Sequence, residues 1–211
     1  MVDPEKFFQA ISMGKMEEVK ELTQKALDAG ELPHKILQDG LIKAMERIGL
    51  LFKNNEIYIP EVLIAARAMH AGLDVLRPIL AKSTTTSSAK VILGTVRGDL
   101  HDIGKNLVGM MLEGGGFEVI DLGIDVPPEK FLQAAREKGA QVIGMSALLT
   151  TTMLQMKTTV DLIKAAGLQK DIKTIIGGAP VTAEFAQKIG ADGYAPDAAS
   201  AVQVVKGLVS L

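Results

Sequence analysis

Residues 94 to 106 read GTVRGDLHDIGKN and place Asp99, His101, Asp102 and Lys105 within seven consecutive positions. A phosphate loop has the form G-x-x-x-x-G-K-[ST], in which backbone N–H groups wrap phosphates and a hydroxyl reaches Mg²⁺. Here five residues separate Gly98 from Gly104, and Asn106 follows Lys105 where the hydroxyl belongs. The Asp99-x-His101 pair offers other chemistry. A carboxylate bonded to one imidazole nitrogen fixes the tautomer and raises the basicity of the other, as behind a metal-ligating histidine. An N-cap aspartate with an incidental histidine has the same spacing, and both readings stand on these residues alone.

A zinc or iron site built only from protein needs three or four ligands. The later loops offer Ser146, Thr150, Thr151 and Thr152, which are poor ligands for those metals. One imidazole with a carboxylate behind it suits a metal that brings its own equatorial ligands, a tetrapyrrole; haem fits the same logic. A dinucleotide fits less well, because the first strand-to-helix turn has no G-x-G-x-x-G. Gly104 and the pair Gly177-Gly178 would let a long part of a ligand slide between sheet and helices, although Gly177-Gly178 also reads as a plain turn. His34, at a helix start, and His70, near a helix surface, read as histidines without a role.

The elements that position these residues change character along the chain. Before residue 81 the apolar side chains recur at steps of three and four. Asp3-Pro4 opens a short helix with Phe7, Phe8 and Ile11, and a second passes through Met16, Val19, Leu22 and Ala26. A third carries Leu37, Leu41, Met45, Ile48 and Phe52, and a fourth, entered at Pro60, carries Val62, Ala66, Met69, Leu73, Leu76 and Leu80. Four amphipathic helices with short connections predict an antiparallel bundle over 1–80. Residues 81–90, AKSTTTSSAK, have no large apolar side chain and read as a linker. From 91 to 211, β-branched runs at Val91–Val96, Val119–Leu122, Val142–Met145 and Ile172–Ile176, and a weaker one near Tyr194, alternate with helical segments. That alternation predicts a doubly wound α/β domain with a parallel sheet of about five strands. Ligands in such sheets bind beyond the carboxyl ends of the strands. The rule gathers the loops RGDLHDIG, SALLTTT and GGAPV at one edge.

Composition narrows the function. The 211 residues carry 23 basic and 25 acidic side chains, a net charge of −2, which leaves no electrostatic footprint for nucleic acid. There is no cysteine, and so no disulfide, thiolate metal site, iron–sulfur cluster or cysteine nucleophile. With no apolar run of about 18 residues and no signal-like N-terminus, the expected location is the cytoplasm, away from membranes. Aromatic residues make up only 4% and methionines number ten, so the core is aliphatic with adaptable filler.

Asp99-x-His101-x-x-Gly104, then Ser146-x-Leu148, then Gly177-Gly178 resembles the cobalamin-binding motif set of methionine synthase. It also resembles the corrinoid proteins of methanol, methylamine and related methyl-transfer systems. The three motifs come in order, each after an expected strand. In addition, GLLFKNNEIYIPEVLIAARAM looks like the last two helices of that family's helical cap. The resemblance spans essentially the whole chain. It implies a corrinoid, cobalamin or a relative in its methyl form, with His101 as lower axial ligand of cobalt. Asp99 would accept the other ring N–H, and Thr152, where methionine synthases have Ser, would extend a proton relay to solvent. Gly98, Asp102, Ile103, Gly104, Ser146, Leu148, Thr150, Gly177 and Gly178 would line the cofactor site. Phe52, Ile59 and Val62 would cover its upper face, although their spacing equally suits the core of the bundle.

The same resemblance implies a methyl carrier, not catalytic alone. It would take a methyl group on Co(I) from a substrate-specific methyltransferase and present it from Co(III) to a second one acting on tetrahydrofolate or coenzyme M. A reductive activator would be a third partner, and the 81–90 linker would act as the hinge of the cap. Two alternatives share parts of the pattern. One is a cobalamin or light sensor; the other is the small subunit of an adenosylcobalamin mutase.

Overall fold

The computed structural model describes residues 2–80 and 89–209. Contacts divide it into two compact units. One holds the helices before residue 81 together with Glu113–Gly116, and the other holds Ala89–Leu112 and the chain from Phe117 onward.

In the first unit, α1 (Pro4–Ser12) starts as its sequence dictates. The Asp3 side chain accepts the Lys6 N–H at 3.3 Å, and Pro4 sits where no intrahelical N–H is needed. Helix α2 (Met16–Asp28) follows. The expected third helix has three parts: α3 (Pro33–Lys35) runs without a break into a π-helical stretch, Ile36–Ile42, and then into α4 (Lys43–Lys53). The π stretch contains Gly40, against which the Phe7 ring packs so closely that a Cβ would lie 3.1 Å away. Helix α5 (Ile59–Leu80) completes the unit. Phe7, Ile11, Leu41, Met45, Ile48, Met69 and Leu76 are buried, which is the stripe that steps of three and four predict.

The second unit alternates strand and helix: β1 (Lys90–Thr95), α6 (Ile103–Gly114), β2 (Glu118–Asp121), α7 (Pro128–Lys138), β3 (Val142–Ser146), α8 (Leu154–Ala165), β4 (Lys173–Gly177), α9 (Ala183–Ile189), β5 (Gly193–Ala195) and α10 (Ala198–Leu208). All pairings are parallel and the strand order is β2-β1-β3-β4-β5. The expected doubly wound α/β architecture with five strands is what forms. Three strands are displaced by one residue from their apolar runs, β1 and β2 toward the N-terminus and β4 toward the C-terminus. Val96 leaves the ladder to bridge Val126. The Ile172 N–H still bonds back to Leu168 at 2.9 Å, so that strand opens at Lys173. Lys90, read as the end of the linker, opens β1; residues 81–88 of that linker lie outside the described residues.

Thr95, Ser146, Gly177 and Ala195 stand in register across β1, β3, β4 and β5. The carboxyl ends therefore form one level edge. The order reverses between β1 and β3, so the crevice of the switch point opens between the loops that follow those two strands. Beneath it lies an aliphatic core with Ile92, Phe131, Ile143, Met145, Val160, Ile163 and Ile176. Among the described residues no helix is long and apolar enough to cross a membrane.

Gly178 shows how tightly the edge is packed. Its φ is +125°, and a Cβ there would sit 1.9 Å from the Ala147 carbonyl oxygen. Backbone cannot yield as a side chain can. Gly178→Ala is expected to lower stability by at least about 2 kcal/mol in urea denaturation.

Candidate functional site

Asp99 organises the loop after β1. It is fully buried, yet its carboxylate is surrounded by donors. One oxygen, Oδ1, lies 2.7 Å from His101 Nδ1 and accepts the His101 backbone N–H at 3.1 Å. The other, Oδ2, accepts the N–H groups of Leu148 and Leu149 at 2.8 and 3.1 Å and the Thr152 hydroxyl at 2.9 Å. Burial by itself would raise the pKa of Asp99. The bonds from the His101 ring, the Leu148 and His101 backbone and Thr152 outweigh it and hold the carboxyl well below the usual carboxylate range. An ionised carboxylate only accepts, so Nδ1 of His101 carries the proton of this bond, and in the neutral ring the lone pair is on Nε2. The His101 side chain is 52% exposed while Asp99 is sealed beneath it. One ring nitrogen is therefore fixed and the other belongs to the open side of the loop.

Thr152 makes the expected contact with Asp99. It is buried, and its hydroxyl reaches the Leu149 carbonyl at 2.8 Å as well as Asp99. The one hydroxyl proton serves either acceptor. Two backbone N–H donors also suit an anion better than an acid. In this arrangement Asp99 accepts from every one of these partners.

Neighbouring strands hold the loop. The Thr95 hydroxyl donates to the His101 carbonyl at 2.8 Å. Asp125 accepts the Gly98 N–H at 2.7 Å through its side chain and donates its own N–H to the Asp99 carbonyl at 3.1 Å. Gly98 has φ +80° and Asp125 φ +52°, a left-handed backbone that glycine and aspartate tolerate. Sequence reasoning missed Thr95, Asp125 and the Leu149 N–H. Backbone donors carry no signature in residue type; an aspartate behind β2 would have been findable only from the parallel pairing of β1 with β2.

Around His101 the surface is apolar: Leu100, Ile103, Leu148 and Leu149 are all exposed. Gly104, on the first turn of α6, has nothing within 4 Å of where a Cβ would be, so space is open beside it. Asp102 and Thr150 are exposed, and Asp102 accepts from the Asn106 amide at 3.2 Å. Ser146 is half-buried at the end of β3. Gly177 and Gly178 are small for a reason of packing: a Cβ on Gly177 would lie 2.9 Å from the Ala195 carbonyl, and Gly178 meets Ala147. Their smallness thus needs no ligand to explain it. In the helical unit Ile59 is exposed and Phe52 half-buried, but Val62 is fully buried and presents no free surface.

No group of three or more His, Asp or Glu side chains among the described residues could hold a metal ion. The donor set is one imidazole, backed by a carboxylate and surrounded by apolar surface with a side-chain-free approach at Gly104. That set fits a macrocycle-bound metal, which needs one axial ligand, an apolar bed and room.

Comparison with known proteins agrees. Residues 89–203 and residues 4–77 each match a B12 binding domain model. A corrinoid protein of Desulfitobacterium hafniense is 43% identical over 204 residues, covering 95% of this chain and 94% of that protein. Dimethylamine corrinoid protein 1 of Methanosarcina acetivorans is 44% identical over 183 residues, 86% of either chain. The crystal structure of the methanol:cobalamin methyltransferase complex from Methanosarcina barkeri superposes with a TM-score of 0.85 at 30% identity, over 97% of this chain and 78% of that one. The chain belongs to the family of B12-binding corrinoid proteins.

The Asp99 network makes a pH-dependent contribution to stability. A carboxyl whose folded pKa lies below its unfolded value, about 3.9, stabilises the fold above that value and loses the contribution as pH falls toward the folded pKa. Asp99→Asn removes the charge. Urea titrations of the cofactor-free protein are expected to show a stability gap between wild type and Asp99→Asn that is full at pH 7 and narrows below about pH 4. A gap of constant size down to pH 2 would contradict the network.

Proposed function

We propose that the chain is a methyl carrier that binds a corrinoid at the carboxyl edge of its sheet, with His101 Nε2 as the lower axial ligand of cobalt. The observation that carries this reading is the buried Asp99 carboxylate 2.7 Å from His101 Nδ1, set in an open apolar loop of a B12-binding corrinoid protein. When bound, the corrinoid supplies a cobalt centre able to take up a methyl group and give it away again. The protein's own residues do the rest. Asp99 orients the imidazole and keeps its proton on Nδ1, which leaves Nε2 ready to ligate. Asp99 would hold the ring in this orientation whether or not a corrinoid is bound, because its bond to Nδ1 leaves Nε2 untouched.

Leu100, Ile103, Leu148 and Leu149 supply an apolar bed that excludes water, and Gly104 leaves room for a part of the cofactor to pass α6. Phe52 and Ile59, with partly free surface, suit the cover implied for residues 1–80. The partners would be a substrate-specific methyltransferase, a second methyltransferase delivering to tetrahydrofolate or coenzyme M, and a reductive activator. The names of the relatives, dimethylamine and trimethylamine corrinoid proteins among them, support the methylamine class of donor.

Reconstitution with hydroxocobalamin tests the reading. Wild type is expected to bind it with the cofactor's own base displaced and a histidine in its place, visible in the absorption spectrum. His101→Ala should alter that spectrum; a spectrum identical to wild type would remove His101 from the cobalt. Gly104→Ala separates fold from site. The added methyl meets no protein atom and favours helix, so stability should hold or rise by up to about 1 kcal/mol. Corrinoid affinity should fall roughly tenfold. Unchanged affinity would mean that nothing passes Gly104.

A further inference from the structure

Lys105 is a buried cation that the site as described does not use. Its side chain is 1% exposed although it stands on the first turn of α6, next to open space at Gly104. A charge so far from water needs close partners. Lys105 has two: its Nζ donates to Asn106 Oδ1 at 2.6 Å and forms a short ion pair with Asp121 Oδ2 at the end of β2. A pair that served packing alone would end there, and this one continues.

The second oxygen of Asp121 accepts the Gly123 N–H at 2.9 Å. The Gly123 carbonyl accepts the Thr95 N–H at 3.0 Å, and the Thr95 hydroxyl donates to the His101 carbonyl at 2.8 Å. The turn shaped by Asp121 also contains Asp125, which grips Gly98 and the Asp99 carbonyl. Both Gly123 and Asp125 have positive φ, +83° and +52°. Such a turn keeps its shape only where its surroundings define it. Backbone bonds from Leu122 to the Leu93 carbonyl and from Val126 to the Thr95 carbonyl hold its ends, and Asp121 ties it to the buried charge of Lys105.

We infer that Lys105 is a positioning residue: through Asp121 and the turn 122–126 it fixes the backbone of residues 98–101, and with it the orientation of the His101 ring. Lys105 touches neither the ring nor the open side of the loop. Its charge, and not only its bulk, is what Asp121 requires. Lys105→Met keeps the length and apolar stem and removes the cation. Asp121 then loses its partner, the Gly123 N–H loses a fixed acceptor, and the clamp on Thr95 and Asp125 loosens. The consequence for cobalt ligation rests on the proposed function; the consequence for the His101 ring does not.

The test begins with the cofactor-free protein, labelled with ¹⁵N in its histidine rings and followed by NMR. In wild type the His101 Nδ1 proton, bonded to Asp99, should exchange slowly with solvent. In Lys105→Met that exchange is expected to quicken by at least about tenfold. Ile163→Val, a core change on α8, serves as control for a loss of stability alone and should leave the exchange within twofold of wild type. A folded Lys105→Met protein with wild-type exchange would overturn the inference. Should that variant not fold, Asp121→Asn, with its exposed side chain, carries the same prediction, and wild-type exchange in it would overturn the inference equally. The second readout is the hydroxocobalamin complex, in which Lys105→Met should show a smaller histidine-ligated fraction. If the wild type itself bound no corrinoid, the proposed function would fail while the exchange measurement still decided the role of Lys105.

Discussion

Asp99 is a full negative charge with no access to water, and the α/β unit is arranged around satisfying it. Removing a carboxylate from solvent costs several kcal/mol unless its lone pairs are met. Here the donors come from the His101 ring and backbone, from Leu148 and Leu149, and from Thr152. Those residues lie on the loops after β1 and β3. The loops can meet only because the two strands are neighbours and end in register at Thr95 and Ser146. The topology thus delivers the donors, and the charge ties the two loops together. The imidazole is what this arrangement leaves over, held at one nitrogen and open at the other.

The geometry also bears on how protons are handled. A relay that passes a proton along a chain needs members that can be either acid or base. Asp99 is bonded to backbone N–H groups that cannot reorient, and Thr152 turns its hydroxyl toward either Asp99 or the Leu149 carbonyl. The backbone donors favour the ionised carboxylate, and the Thr152 hydroxyl adds to that when it turns toward Asp99.

Much of this was legible in the sequence, for physical reasons. Buried parallel strands are continuous runs of Val and Ile, so the sheet announced itself, and the switch-point rule then named the loops. Asp99 and His101 stood out because two residues of complementary chemistry were close in the chain. The π-helical stretch at Ile36–Ile42 was not visible, because its apolar positions satisfy an α-helical stripe nearly as well. The spacing of Val62 suited a cofactor cover and the bundle core alike, since a stripe does not say which of its members are buried; its side chain is wholly buried. Gly177 and Gly178 look like a cleft lining and turn out to be demanded by the carbonyls of Ala195 and Ala147. Lys105 and Asn106 invited comparison with a phosphate loop; the lysine is instead turned inward on Asp121, a partner 16 residues away that no local motif indicates.

The account stands or falls on His101 as the ligand of cobalt. Electron paramagnetic resonance of the Co(II) form of the reconstituted protein tests it most directly, because the unpaired electron couples to the axial nitrogen. Protein grown with ¹⁵N-histidine and loaded with unlabelled cofactor should show the nitrogen splitting change from triplets to doublets, and His101→Ala should abolish it. Triplets that persist in the labelled protein would show the cofactor's own base, and not His101, on the metal.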